Sequence, residues 1–303
     1  MLLTWESILQ QLVNGLVLGS FYALVALGYS MVYGIIKLLN FAHGDIYMTG
    51  AFVCLSAFGV LSGILGGWLG IACSIIAAMI FAGILGYLAQ RFAYRPLLGA
   101  PRLSLLITAI GISLVIYNSV MVITNSQPLF FISDLDNSSG IQIGKITITY
   151  IQIVLILVSA VIMLGLTLFI GKTMMGKAMR AISLDQDTCR LMGINVNKVI
   201  GLTFVIGSVL AAIAGGLSCI YYGNVQYNMG YTIGIKAFTS AVIGGIGSVP
   251  GAMLGGVLLG LLEAIGTQFL GSQWKDVFAF GLLILILILR PNGLLGKSEI
   301  ERM

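Results

Sequence analysis

Residues 149 to 171 read TYIQIVLILVSAVIMLGLTLFIG, a run without a single charge. At about 1.5 Å per residue, a helix of this length spans about 34 Å and crosses the roughly 30 Å hydrocarbon core of a bilayer. Backbone polar groups in hydrocarbon must be satisfied within the protein, which leaves helices or a closed barrel as the spanning structures. A barrel would show alternating segments of about ten residues; the runs here are longer and continuously apolar. The chain is therefore read as all-α, a polytopic helical membrane protein. Composition agrees: 8% of residues are charged, against roughly 25% in a soluble domain, which excludes a water-soluble globule. Only Glu6 precedes the first apolar run and no small-residue cleavage site stands out, so that run reads as a retained anchor rather than a signal peptide.

Charge position gives orientation. Eleven of the fifteen Lys and Arg fall in three clusters: Arg91, Arg95 and Arg102; Lys172, Lys177, Arg180, Arg190 and Lys198; Arg290, Lys297 and Arg302. By the positive-inside rule these mark cytoplasmic segments, including the C-terminus. Residues 125–148, with Asp134 and Asp136, and the tyrosine-rich residues 221–235 then read as external. Spans follow at about 68–90, 103–124, 149–171, 199–220 and 277–290, preceded by about 8–35 and 42–62, with the N-terminus outside. Residues 230–270 must cross twice, turning at Gly247–Gly251, with a first crossing that is short or includes Lys236 near its outer end. A break near Gly28 or Gly34 would change the count by one, so eight to ten spans are expected, in one domain over 1–303 with a cytoplasmic segment at about 172–198.

Forty glycines form the second strong pattern. Gly15 and Gly19, Gly66 and Gly70, Gly247, Gly251 and Gly255, and Gly256 and Gly260 are four apart, a spacing that lets helices approach closely. The run IGGIGSVPGAMLGG from Ile243 has too much glycine, and a proline, for one continuous helix; a broken segment lining a cavity fits it.

Enzymatic chemistry is poorly supported. GKS at 296–298 and GKT at 171–173 resemble the end of a P-loop, but Pro291 and Leu166 stand where its first glycine belongs. No Ser/His/Asp constellation or metal-ligand spacing occurs, and Cys54, Cys73, Cys189 and Cys219 form no CxxC pair. The chain's one histidine, His43, lies two residues before Asp45, in a join that also carries Asn40. Asn40 or His43 is expected to cap the helix that starts there, with Asp45 in its first turn at the positive dipole end. A place in a translocation path or gate is the other reading for these three, and for Lys236 and Glu263. Glu263 stands alone in an apolar run and is expected to face the bundle interior or a cavity.

Residues 172–198, KTMMGKAMRAISLDQDTCRLMGINVNK, are the most informative polar stretch. Ser183 and Gln186 have capping-box spacing and predict a helix from Leu184, which Gly193 would end; Asn197 would cap the next span. Apolar Met179, Ile182, Leu191, Met192 and Ile194 suit docking onto a cytoplasmic partner rather than a solvated linker.

Five segments together, NGLVLGSFYALVALGYSMVYGI (14–35), NFAHGD (40–45), GKAMRAISLDQDTCRLMGINVNKV (176–199), KAFTSAVIGGIGSVPGAMLGGVLLGLLE (236–263) and RPNGLLG (290–296), resemble the permease subunits of branched-chain amino acid ABC importers, the LivH type. The resemblance covers nearly the whole chain. It implies a subunit of the bacterial inner membrane that moves leucine, isoleucine or valine and pairs with a paralogous second permease. An extracytoplasmic binding protein would deliver the substrate, and two cytoplasmic ATPases would drive transport. Those ATPases would use ATP and Mg, with no cofactor bound by this chain and no role for nucleic acid. The segment at about 176–196 corresponds to the helix on which they dock, placing Lys177, Arg180, Asp185, Arg190, Leu191, Met192, Gly193 and Ile194 at the coupling contact. A same-fold permease for urea, a short amide or another amino acid, and an ion-coupled carrier built on Asp45 and Glu263, are the alternatives.

Overall fold

The computed structural model describes residues 5–131, 139–144 and 146–296; Asp134, Asp136, Lys297 and Arg302 lie outside them. Eleven α-helices follow one another among the described residues: α1 (Trp5–Ile36), α2 (His43–Leu65), α3 (Gly67–Ala89), α4 (Arg102–Ile123), α5 (Tyr150–Lys172), α6 (Met174–Leu184), α7 (Gln186–Leu191), α8 (Val196–Tyr222), α9 (Met229–Gly244), α10 (Val249–Leu270) and α11 (Lys275–Leu289). Eight helical segments among the described residues are long and apolar enough to cross a membrane. The ninth candidate crossing, α9, has 16 residues, or about 24 Å, and is the short one of the pair expected over 230–270.

The bundle has two recognisable ends. At one, Gln10 and Thr147 exchange hydrogen bonds at 2.9 and 3.1 Å, and Gln11 donates to Gln268 at 3.1 Å. The two loops expected on one side meet here: strand Leu129–Phe130 pairs antiparallel with Asn224–Val225. Beside it, Gly140–Ile143 and Ile146–Thr149 form a hairpin. At the other end the Gly247 amide donates to Ser30 at 3.1 Å, and the Gln186 side chain to the Ile35 carbonyl at 3.4 Å. The described Lys and Arg of the three basic clusters lie at this second, basic end, in or beside the connections α3–α4, α5–α8 and the residues after α11.

Helix α1 is the central post. It runs unbroken from Trp5 to Ile36 and is buried for most of its length, so neither Gly28 nor Gly34 interrupts it. Its main partner is α10, antiparallel to it. A Cβ on Gly256 would lie 2.4 Å from the Ala23 amide nitrogen, and one on Gly260 2.2 Å from that of Gly19. Backbone meets backbone along this seam, the small-residue packing anticipated for Gly15, Gly19, Gly256 and Gly260. Gly66 and Gly70 do not form such a face. Gly66 takes φ +72° and makes the turn between α2 and α3, a left-handed conformation that favours a residue without Cβ.

The glycine-rich run breaks after α9, where Gly245 and Gly247 have φ +104° and +89°. Pro250 sits in the first turn of α10 and Ser248 caps it, accepting from the Gly251 amide at 3.2 Å. The segment following α11 returns to this turn: the Leu294 and Leu295 amides donate to the Ile243 and Gly244 carbonyls, both at 2.9 Å. Close approach is obligatory, since a Cβ on Gly293 would stand 2.5 Å from the Gly245 Cα. Two of the segments that carry the resemblance, 236–263 and 290–296, are thus interlocked.

Candidate functional site

Among the described residues, three polar centres hold the side chains that the sequence singles out. The first lies where α2 begins. The Asn40 carbonyl accepts from the His43 amide at 3.1 Å, but neither the Asn40 nor the His43 side chain caps the helix, which has no side-chain cap at all. The Asn40 side chain instead accepts from the Tyr94 hydroxyl at 2.7 Å, and the Tyr94 ring packs on Phe204. The His43 imidazole, 1% exposed, lies edge-on to Tyr29 with centroids 4.8 Å apart. It fills the space left by Gly28, where a Cβ would sit 2.2 Å from its Nε2, and it lies beside Gly207. The Nε2 atom has no hydrogen-bond partner among the described residues. The expected capping role is corrected: both side chains reach to other helices, and the helix start is shaped by what they meet there.

Asp45 does occupy the first turn of α2, where the helix dipole favours an anion. Its carboxylate accepts from the Ser113 hydroxyl of α4. At the same level α2 meets the first turn of α9: a Cβ on Gly44 would stand 2.3 Å from the Gly230 carbonyl oxygen and 2.9 Å from the Gly234 Cα. Two helices thus start face to face inside the bundle, with a carboxylate beside the junction.

The second centre is an ion cluster. Glu263, 2% exposed, accepts from the Lys236 ammonium at 2.8 Å and from the Tyr22 hydroxyl at 2.9 Å. Lys236 also pairs with Asp276 of α11 at 3.1 Å. Lys236 is not near the outer end of α9, as its charge suggested, but midway along it, where a buried carboxylate balances it. Asp276 and Tyr22 were not legible as members; nothing in their local sequence marks them.

The third centre is the basic-end elbow. Thr173 caps α6, accepting from the Gly176 amide at 3.1 Å, and Arg180 donates back to the Ile170 carbonyl of α5. A further helix therefore occupies Met174–Leu184, ahead of the one that the capping-box spacing predicts from Leu184. The N-cap of α7 is Asp185 rather than Ser183, its carboxylate accepting from the Asp187 and Thr188 amides at 2.9 and 3.2 Å. The Ser183 hydroxyl donates to the Arg180 carbonyl. The Thr188 hydroxyl first, and these amides next, hold the Asp185 carboxyl below its ordinary pKa. Gly193, at φ +81°, ends α7 as expected, with the Ile194 amide donating to the Cys189 carbonyl at 3.0 Å. Asn195, not Asn197, caps α8, its side chain accepting from the Lys198 amide at 3.1 Å.

The elbow has two faces. Met179, Ile182 and Cys189 are buried, whereas Leu184, Leu191 and Met192 are 88%, 89% and 76% exposed. Lys177, Arg180 and Arg190 are exposed, and Ile194 is half-buried. Of the apolar residues assigned to docking, Met179 and Ile182 therefore seat the elbow on its own bundle. Arg190 and Asp187 form a surface pair at 3.0 Å and, with Arg95, Gln186 and Asn197, line a cleft of about 570 Å³ between α7 and the turn after α3.

A bundle of membrane-length helices with a capped, amphipathic elbow at its basic end defines a polytopic helical membrane protein. The chain matches the family described as branched-chain amino acid transport system / permease component over residues 11–287. It is 47% identical to the high-affinity branched-chain amino acid transport permease protein BraD of Pseudomonas aeruginosa, over 97% of each chain. It is 44% identical to the corresponding LivH protein of Escherichia coli, again over 97% of each. A weaker similarity, 27% over 154 residues, joins it to LivM of Salmonella typhimurium, covering 49% of this chain and 36% of that one. The chain belongs to the family of branched-chain amino acid transport permease components, and is a transport subunit rather than an enzyme.

Proposed function

We propose that this chain carries leucine, isoleucine or valine across a bacterial inner membrane as one of two permeases in an ABC importer. An extracytoplasmic binding protein delivers the amino acid, and two cytoplasmic ATPases that use ATP and Mg drive the cycle; no cofactor is proposed for this chain. Its second permease would be a paralogue, a reading supported by the similarity to LivM. The basic end would then face the cytoplasm, with Arg290 at the end of α11 on that side.

The observation that carries this reading is the exposed apolar tip Leu184, Leu191 and Met192 on an elbow whose opposite face is anchored in the bundle. Such a surface is unfavourable in water and suits a hydrophobic groove on a partner. Lys177, Arg180, Asp185, Arg190, Gly193 and Ile194 would shape and orient that contact. Movement of the ATPases would reach α5 through Thr173 and Arg180, and α1 through Gln186 and Ile35. The join of Asn40, His43 and Asp45 with the start of α9 would lie along the translocation path. Lys236 and Glu263 neutralise one another, and we assign them to holding α9, α10 and α11 together rather than to a gate.

Reconstitution with both permeases, the ATPases and the binding protein is expected to give ATP-dependent uptake of the three amino acids into proteoliposomes. Uptake that persists without the ATPases refutes the reading.

A further inference from the structure

Among the described residues, two carboxylates are buried inside the membrane-spanning bundle, Asp45 and Glu263, and their surroundings differ in one respect. Glu263 has a lysine ammonium at 2.8 Å and a tyrosine hydroxyl at 2.9 Å. Asp45 is almost as deeply buried, at 4% exposure, yet its side chain is held by one neutral group, the Ser113 hydroxyl. No Lys, Arg or His forms an ion pair with it among the described residues. His43, two residues earlier, turns its ring toward Gly28, Gly207 and Tyr29. The positive end of α2 offsets part of the cost of an anion in this position, but does not neutralise it. An ionisable side chain kept within the membrane without a counter-charge marks a site where a charge passes or binds.

The sign and the setting narrow what that charge is. An anion lacking a cation takes a cationic group. Asp45 is covered by α4, a span with most of its surface exposed, so the cover over the carboxylate is thin. One turn beyond Ser113, Tyr117 stands edge-on to Tyr227 of the segment leading into α9, with centroids 5.4 Å apart. The side of Asp45 toward the end opposite the basic one is therefore aromatic, suited to an aliphatic side chain and to a cation over ring faces. A branched-chain amino acid carries both groups.

We infer that Asp45, oriented by Ser113, holds the α-ammonium group of the travelling amino acid part-way across the bilayer, an inference that rests on the permease reading above. The ammonium supplies the missing counter-charge only during passage, so the site pairs with one end of the zwitterion and holds it no longer than the passage lasts. Glu263, already paired, is unavailable for this.

Charge and size can be separated in the reconstituted importer by measuring leucine uptake. Asp45→Asn keeps the volume and can still accept the Ser113 hydrogen bond, but lacks the charge; Asp45→Glu keeps the charge and adds a methylene. The expected result is at least a twentyfold loss of uptake in Asp45→Asn, with assembly by size-exclusion unchanged, and at least a tenth of wild-type uptake in Asp45→Glu. A structural role for Asp45 reverses that order, and wild-type uptake by Asp45→Asn overturns the inference. Should Asp45→Asn fail to assemble, the double variant D45N/S113D decides, because it returns a carboxylate to the other end of the same hydrogen bond. At least a fifth of wild-type uptake supports the inference; uptake below a twentieth by the assembled double variant overturns it. Absence of leucine uptake by the wild-type importer would instead refute the permease reading itself, so the two failures are distinct.

Discussion

Gly28 and His43 provide a sharp test of the packing at the start of α2. In Gly28→Ala the new Cβ would fall 2.2 Å from His43 Nε2 and 2.4 Å from Cε1, against the 3.4 Å at which ordinary contact begins. The imidazole would have to retreat by about 1.2 Å in an interior packed as densely as an organic crystal, with Tyr29 on one side and Gly207 on another. Overpacking of this kind costs about 1–3 kcal/mol. Alanine regains roughly 0.5–1 kcal/mol over glycine within a helix, so the net loss expected is about 0–2.5 kcal/mol. His43→Ala removes the obstructing ring and leaves a cavity, which is destabilising on its own. Combined with Gly28→Ala, however, the two changes should compensate, with a coupling energy of about 1–3 kcal/mol. The assay is a double-mutant cycle of unfolding free energies, from denaturant titration of the purified protein in mixed micelles. Additivity within about 0.5 kcal/mol would refute the claim that Gly28 exists to admit this ring.

Lys236→Met should cost about 3–5 kcal/mol in the same titration, because Glu263 is left as an uncompensated buried charge, while K236M/E263L should recover most of the loss. Asp185→Ala removes the cap of α7 and is expected to lower ATP-driven uptake severalfold, whereas Asp185→Asn, an equally good cap, should not. Because the Asp185 carboxyl is held below its ordinary pKa, its contribution is complete above the unfolded carboxylate value near 3.9 and is lost as pH falls through the lower folded value. A pH titration of elbow protection by hydrogen exchange checks this, and Asp185→Asn should flatten it. Arg180→Glu loses the donor to the Ile170 carbonyl; uptake per ATP hydrolysed should fall several-fold with membrane insertion unchanged, and an unaltered ratio counts against the elbow as the coupling element.

The spans were legible because hydrocarbon leaves so few alternatives, and because glycine and proline mark the break between α9 and α10. Local signals failed where two neighbouring residues share one chemistry. Ser183 and Asp185, or Asn195 and Asn197, are equivalent caps in sequence, and only the backbone path selects Asp185 and Asn195. The polar centres were legible as residues but not as partnerships. Nothing near Asn40 points to Tyr94, nothing near Asp45 to Ser113, and nothing near Lys236 to Asp276, since each pair is formed by segments distant along the chain. Gly28 misled in a particular way: read locally a glycine suggests a break, yet here it is an indentation in a straight helix, cut for a side chain that arrives fifteen positions later.

The interlock between Leu294–Leu295 and the turn after α9 bears on how the molecule is made. Ribosomes release 243–244 well before 294–295, so the Ile243 and Gly244 carbonyls wait, unsatisfied by the protein, until the segment after α11 threads back to them. A product that stops short of Arg290 would leave that turn open and α11 fastened mainly at its other end, through Asp276 and Lys236. Closure of the turn between α9 and α10 therefore waits on the synthesis of α11 and of the residues that follow it.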